Sequence, residues 1–330
     1  MTVPVPDLVC PAGTPAALCA AVEAGADAVY MGFRDATNAR NFPGLNFDEA
    51  EFRDGLAFAH AHGCKIYVAI NTFPAAGDPG PWHEAVDRAA TAGADAVILA
   101  DIGLLEYAAI NHPQLHRHLS VQAAASNAAA IRFFHDAFGI ARVVLPRVLT
   151  LAEIAALNRQ VAVETEVFAF GGLCIMAEGR CALSSYATGQ SPNSNGVCSP
   201  ASHVRFERRQ GKVVSRLGEF TIDILDAGVA AGYPTLCKGR FVVGGCASHL
   251  FEEPTSLNTV GLLPELTRTG VRALKIEGRQ RGRAYVAQVV GAFRRALDAL
   301  ARGETPADST LEALSEGQRK TTGAYLKTWQ

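Results

Sequence analysis

No stretch of this sequence is both long and free of charge. The most apolar run, Ala94 to Ile110, is interrupted by Asp95, Asp101 and Glu106, well short of the roughly 20 uncharged residues that a bilayer-spanning helix needs. The opening Met1-Thr2-Val3-Pro4-Val5-Pro6-Asp7 has neither a basic start nor an apolar segment, so no secretory leader is read and the expected compartment is cytoplasmic. An excess of one charge is lacking too. Thirty Lys and Arg face 32 Asp and Glu, a formal net charge of −2, which excludes a globally basic nucleic-acid surface but not a local patch. Eight cysteines in 330 residues are too sparse for a disulfide scaffold. No Cys-x2-Cys knuckle, His-Glu-x-x-His pair or Gly-x-Gly-x-x-Gly after the first expected strand occurs, which argues against a zinc knuckle, a zinc protease and a dinucleotide fingerprint.

What is present is an internal echo. Ala24-Gly25-Ala26-Asp27-Ala28-Val29-Tyr30 returns as Ala92-Gly93-Ala94-Asp95-Ala96-Val97-Ile98, with looser copies around Gly63, Gly139 and Gly270. In each, a glycine suited to the left-handed helix-closing position precedes a short apolar run, and runs apolar on both faces suit parallel strands covered by helices. The register predicts strands at 7–11, 28–33, 65–71, 96–101, 118–123, 142–147, 164–170 and 272–277. Helices are predicted at 14–24, 47–62, 82–92, 102–111, 128–138, 150–159, 258–269 and 282–302. Asn46 or Asp48, Thr150 with Glu153, and Asn258 are expected caps. Eight alternations point to an α/β fold of the (β/α)8 TIM-barrel type, with an open doubly wound sheet as the runner-up. The expected organisation is a barrel over 1–303, interrupted by an insertion at 171–257, and a C-terminal extension at 304–330 that docks back.

An insertion of that size after the seventh strand is a functional element or a small subdomain, and it would sit over the catalytic face of a barrel. It holds a turn-rich piece from Thr188 to Asn195 and an alternating segment, Ser202 to Arg216, split by Gln210-Gly211-Lys212, which reads as a β-hairpin. The hairpin carries Arg205, Arg208, Arg209, Lys212 and Arg216. This is a solvated face or a contact for a partner, anionic lipid or RNA. Cys174, Cys181, Cys198 and Cys237 fall in the insertion with 6, 16 and 38 residues between them. Irregular spacing among glycines fits a thiolate-held cluster, and plain buried cysteine equally. Cys10, Cys19 and Cys64 lie in strand or helix patterns and read as core residues.

The run from Glu166 to Ser184, with Glu166-Val167-Phe168, Gly171-Gly172-Leu173-Cys174 and Gly179-Arg180-Cys181, resembles the signature of the collagenase-like peptidase family of unassigned catalytic type. Only Gly172 departs, where Ser or Ala is usual. Cys10-Pro11-Ala12-Gly13, Asn38-Ala39-Arg40-Asn41-Phe42, Ala69-Ile70-Asn71-Thr72, Val144-Leu145-Pro146-Arg147, Tyr233-Pro234-Thr235-Leu236-Cys237-Lys238-Gly239-Arg240 and Lys275-Ile276-Glu277-Gly278-Arg279 extend the resemblance over essentially the whole chain. Within the family it is similar to the UbiU-like branch, including Gly323-Ala324-Tyr325 and Trp329-Gln330 at the end.

That resemblance implies chemistry other than proteolysis. Members of this branch pair with a UbiV-like protein as a heterodimer and support hydroxylation of a ubiquinone precursor ring without molecular oxygen, each subunit carrying a 4Fe–4S cluster. The motif places the cluster ligands on Cys174, Cys181, Cys198 and Cys237. Other members hydroxylate bases of transfer or ribosomal RNA, with prephenate as the proposed oxygen donor. An RNA-base hydroxylation factor is therefore the alternative, and an interaction protein whose cluster only folds the insertion is a third reading. No flavin or nicotinamide motif is visible, so electrons come from a partner or are not needed.

A cysteine protease requires a thiolate with an oriented histidine in reach. None of the nine histidines falls at the C-terminal end of a predicted strand, and only His203 and His249 lie near the insertion. Polar residues do gather where a barrel site belongs. Asn71, Asp101, Gln122, Arg147, Glu277 and Arg279 end or follow strands, and Asn38, Arg40 and Asn41 fill the loop after the second. Asp101 and Glu277 are the candidate catalytic groups, although Asp101 also reads as a helix N-cap. Asn41, Asn71, Gln122, Arg147 and Arg279 are candidate substrate binders, the two arginines forming a fork for a dicarboxylate.

Overall fold

The computed structural model describes residues 5–174, 181–192, 196–229, 231–306, 310–315 and 319–326. The centre of the Cys174–Cys181 motif, including Gly179, lies outside the described residues, as do Asn195 and Trp329-Gln330.

The chain opens with seven parallel strands, β1 (Asp7–Pro11), β2 (Ala28–Met31), β3 (Lys65–Ile70), β4 (Ala96–Leu99), β5 (His116–Leu119), β6 (Arg142–Val144) and β7 (Glu164–Gly172). Six helices alternate with them: α1 (Pro15–Glu23), α2 (Glu49–Ala61), α3 (Gly80–Ala92), α4 (Ile102–Asn111), α5 (Ala128–Phe138) and α6 (Leu151–Asn158). The insertion contributes α7 (Ala182–Thr188), β8 (Val204–Arg209), β9 (Lys212–Leu217), β10 (Phe220–Leu225), β11 (Arg240–Val243), β12 (Cys246–His249) and β13 (Ser256–Asn258). Then come α8 (Leu263–Arg268), β14 (Ala273–Ile276), α9 (Arg283–Ala301) and β15 (Lys320–Thr321). Because β14 pairs in parallel with both β1 and β7, the sheet closes into an eight-stranded barrel. The (β/α)8 architecture is present and the open sheet is excluded.

Local chemistry sets the boundaries. Asp48 with Glu51 and Thr150 with Glu153 form reciprocal capping boxes at α2 and α6. Gly93 and Gly139 close α3 and α5 in the left-handed conformation. Along the strands, Leu8, Cys10, Val29, Met31, Val97 and Leu99 pack outward under the helices, whereas Val9, Tyr30, Tyr67 and Ile98 fill the barrel. Cys10 and Cys64 are buried core residues.

Two elements differ from the sequence expectation. The fifth strand starts at His116 and ends at Leu119, because the Ser120 hydroxyl accepts the Gln122 N–H (3.3 Å) and bends Val121–Ala123 into a 3-10 turn. The helix expected over 258–269 begins only at Leu263. Thr259 donates both its N–H and its hydroxyl to the Ala169 carbonyl, tying the chain to β7, and Ser256–Asn258 pairs antiparallel with β7. The hairpin is a three-stranded sheet in the order β10-β9-β8, with Leu217, Ile222 and Leu236 forming a small core against Leu183, Ala187 and Phe241. The chain end returns to the barrel. β15 adds in parallel to β13, and the buried Tyr325 hydroxyl donates to the Phe168 carbonyl at 2.6 Å. No helix among the described residues is long and apolar enough to cross a membrane.

Candidate functional site

The C-terminal ends of β2, β7 and β14 meet around Glu277. Gly171, at φ +118°, stands where a Cβ would lie 2.7 Å from the Glu277 carbonyl, so only glycine lets β7 and β14 approach this closely. The Glu277 carboxylate accepts the Gly172 N–H at 3.2 Å and lies 3.5 Å from the Arg40 guanidinium. Burial raises the Glu277 pKa, but Arg40, Arg147, the Gly172 N–H and Arg281 outweigh it and hold the carboxyl below its usual range. Burial works against the Arg40 charge in turn, and Glu277 followed by the Cys198, Tyr30 and Cys174 side chains more than restores it.

The loop carrying Arg40 is pinned from several sides. Asn71 accepts the Ala39 N–H (2.9 Å), Asn46 donates to the Arg40 carbonyl (2.9 Å), and Arg279 donates to the Asn38 side chain (3.2 Å). Asn41 follows in the same loop, partly buried. Arg279 is 4% exposed, and burial pushes its pKa down to about 10. The expected fork of Arg147 and Arg279 therefore does not open to a ligand as a pair, since Arg279 is turned onto Asn38. The Arg147 guanidinium carbon lies over the Phe168 ring, 3.5 Å from its centroid. Asp101 caps α4 by accepting the Leu104 N–H (3.0 Å) and lines a groove of about 400 Å³ with His83, Tyr107 and Asn111, so the structure gives it the capping role. Gln122 sits on the 3-10 turn after β5 rather than on a strand, with its buried Oε1 lacking a hydrogen-bond partner among the described residues.

The cysteine-bearing segments converge on this mouth. Cys174 follows the Gly172 amide that holds Glu277. Gly196 (φ +75°) stands where a Cβ would be 2.5 Å from the Asn38 carbonyl and 3.4 Å from the Arg40 nitrogen, so the Cys198 loop packs on the Arg40 loop. Tyr233 holds that loop by donating to the Ser199 carbonyl (2.8 Å). Cys181 heads α7, with its Sγ 3.8 Å from Ser184 Oγ, and Cys237 lies on the 3-10 turn Leu236–Lys238 with its Sγ 3.8 Å from Thr235 Oγ1. None of the four is joined in a disulfide. Burial pushes the Cys198 and Cys237 thiols up. Arg40 opposes this at Cys198 and Thr235 at Cys237, while the Cys181 charge is felt at both.

Among the described residues, no three His, Cys, Asp or Glu side chains are close enough to hold a metal ion. A single tetrahedral zinc would bring its sulfurs to within about 4 Å of one another. A 4Fe–4S cluster takes four thiolates, and the mutual coupling of Cys181, Cys198 and Cys237, with Cys174 joined to Cys198 through Arg40, supplies a donor set of that chemistry. For a peptidase the histidines are poorly placed: His203 is hydrogen-bonded to Ser202 (3.0 Å) and His249 to the Lys238 carbonyl (3.1 Å).

The sequence reading missed a charged layer inside the barrel. Lys275 pairs with Glu166 at 2.6 Å, and Arg142 lies 3.4 Å from Glu166, 2.7 Å from Glu164 and 3.2 Å from Asp7. The available signal was a lone charge at an inward position of an otherwise apolar strand, as in Ala273-Leu274-Lys275-Ile276. Arg40 was placed in the right loop, but its pairing with Glu277 depends on contacts that only the closed barrel makes.

Comparison with known proteins adds to this geometry. The model of peptidase family U32 matches residues 13–328. The tRNA hydroxylation protein P of Escherichia coli K12 is 32% identical over 331 residues, 94% of this chain and 72% of that protein. The 23S rRNA 5-hydroxycytidine C2501 synthase of the same organism is 30% identical over 296 residues, 89% of this chain and 39% of that protein. A collagenase of Porphyromonas gingivalis is 28% identical over 308 residues, 90% of this chain and 66% of that protein.

Proposed function

The chain belongs to peptidase family U32, and on that footing we propose that it is an iron–sulfur hydroxylation factor rather than a peptidase. The observation that carries the reading is that Arg40, paired with Glu277 at the barrel mouth, lies in the field of Cys174 and Cys198, and that Cys198 in turn lies in reach of Cys181 and Cys237. Cys174, Cys181, Cys198 and Cys237 would hold a 4Fe–4S cluster, whose contribution when bound is one-electron transfer. Arg147, which lies in the field of Glu277, is the proposed binder of an anionic oxygen donor such as prephenate. Arg279 instead holds the Asn38 loop in place. Asn41, Asn71 and Gln122 are proposed as neutral lining, the unpartnered Gln122 oxygen being a group that a ligand or water would satisfy.

Two substrates are proposed. The relatives' names support an RNA base. A ubiquinone precursor ring, handled together with a UbiV-like partner as a heterodimer, is supported by the UbiU-like sequence motifs. Arg205 pairs with Glu219, Arg209 with Glu207, Lys212 with Asp226 and Arg240 with Asp223. Carboxylates thus offset the cations that an RNA backbone would need. Deleting the gene in its host separates the readings. Loss of a hydroxylated nucleoside from tRNA or rRNA, read by mass spectrometry, supports the first. Loss of ubiquinone from cells grown without oxygen supports the second, and neither loss would sink the hydroxylation reading.

A further inference from the structure

The Arg40–Glu277 ion pair is wedged between two cysteine-bearing segments. Glu277 is tied through the Gly172 N–H to the strand end that leads into Cys174. The Arg40 backbone is in contact with Gly196, two residues before Cys198. Further hydrogen bonds from Asn71 and Asn46 fix the loop, so the guanidinium is held in place on a braced segment. The pair is only partly accessible to water, with Arg40 35% and Glu277 23% exposed, so its charges are screened less than fully exposed ones. A guanidinium stays protonated at any physiological pH, which makes Arg40 a permanent positive charge beside the thiols, partly offset by the Glu277 carboxylate.

We propose that Arg40 is a positioning residue that sets the reduction potential of the thiolate-held cluster, with Glu277 as its attenuator. The inference rests on the cluster reading above. Cluster potentials respond to nearby net charge and solvent exposure. When one electron from dithionite converts [4Fe–4S]2+ to [4Fe–4S]+, the added negative charge is stabilised by Arg40 and opposed by Glu277. Removing the arginine charge therefore lowers the potential. Removing the glutamate charge frees Arg40 from its partner and raises it. A purely structural role would not produce shifts of opposite sign.

The test is an EPR-monitored redox titration of the full chain, prepared without oxygen, as wild type, Arg40→Gln, Arg40→Lys and Glu277→Gln, with iron and acid-labile sulfide measured on each. The expected result is about four irons per chain in all four proteins. Arg40→Gln should lower the reduced-to-oxidised ratio about tenfold at fixed ambient potential, about 59 mV for one electron. Arg40→Lys should stay near wild type, and Glu277→Gln should move in the opposite direction. Loaded clusters whose potentials do not move, or move the same way in Arg40→Gln and Glu277→Gln, would overturn the inference and leave the cluster reading standing. Wild-type protein without iron would overturn both. If Arg40→Gln fails to fold, the upward shift in Glu277→Gln still decides the question.

Discussion

Lys275 and Glu166 face each other inside the barrel, Nζ to Oε1 at 2.6 Å, with side chains 8% and 1% exposed. Neither is at the mouth. Burial lowers the Lys275 pKa, and the contact with Glu166 opposes that shift. The pair is thus a charged tie between β14 and β7, the two strands whose pairing closes the sheet.

Breaking that tie from one side leaves a buried carboxylate whose remaining ion-pair partner among the described residues is Arg142 at 3.4 Å. Lys275→Met is expected to cost about 3–5 kcal/mol in urea denaturation. The double variant Lys275→Met/Glu166→Gln should recover a substantial part of that loss, because no uncompensated charge remains. A double variant no more stable than the single one would count against this account.

His118 lies in the same interior, edge-on to Tyr67 at 4.6 Å. Burial, followed by the charges of Arg142 and Lys275, holds its pKa well below the usual value. The folded chain therefore binds this proton less readily than the unfolded chain does. The stability that His118 contributes is complete above about pH 6.5 and is lost as pH falls from there toward the depressed folded value. Stability measured between pH 7 and pH 5 should fall more steeply for wild type than for His118→Phe, by up to about 1.4 kcal/mol per pH unit. Parallel curves would contradict the assignment.

Gly13 offers a steric test. A Cβ there would lie 1.8 Å from the Arg279 carbonyl oxygen, a backbone atom, whereas one at Gly77 meets nothing within 4 Å. Gly13→Ala is expected to destabilise by about 3 kcal/mol or more and to disturb the Arg279–Asn38 contact. Gly77→Ala should fall within about 0.5 kcal/mol of wild type. Thermal melts of the two decide it.

The cysteines divide into two groups. Changing Cys174, Cys181, Cys198 or Cys237 to Ser should each abolish or sharply reduce the iron content of anaerobically prepared protein. Cys246→Ser should leave it intact, because Cys246 is exposed on β12 of the two-stranded ribbon. Elemental analysis of the five variants checks this.

Tyr325→Phe removes one buried hydroxyl donor to the Phe168 carbonyl. The expected cost is about 1 kcal/mol, read as a shift in the denaturation midpoint at unchanged slope.

The barrel was legible because its signals are local. Glycine at Gly25, Gly93 and Gly139 followed by apolar runs, and caps such as Thr150 with Glu153, declare helix ends and strands without reference to distant residues. The misread segments are those where a distant partner decides. Asn258 reads as a helix cap, yet bonding of Thr259 to Ala169 turns the residues around it into a strand and a 3-10 turn. At the candidate site, strand-end position placed Glu277 at the end of β14, where it lies. It could not show that Arg279 would be turned onto Asn38, or that Arg40 would be the cation beside the carboxylate, because both follow from how three loops meet over the closed sheet.

The pairing of β13 with β7 sets Ser256 opposite Gly172 and Leu257 opposite Gly171. Everything between residues 173 and 255 therefore leaves and re-enters through two adjacent strands clasped at the neck. Such a neck makes the intervening chain an exchangeable cassette. Both of its ends are fixed to the same neck, so a change within it need not disturb the pairing of the barrel strands. The insertion can then differ in length and chemistry without a different barrel beneath it.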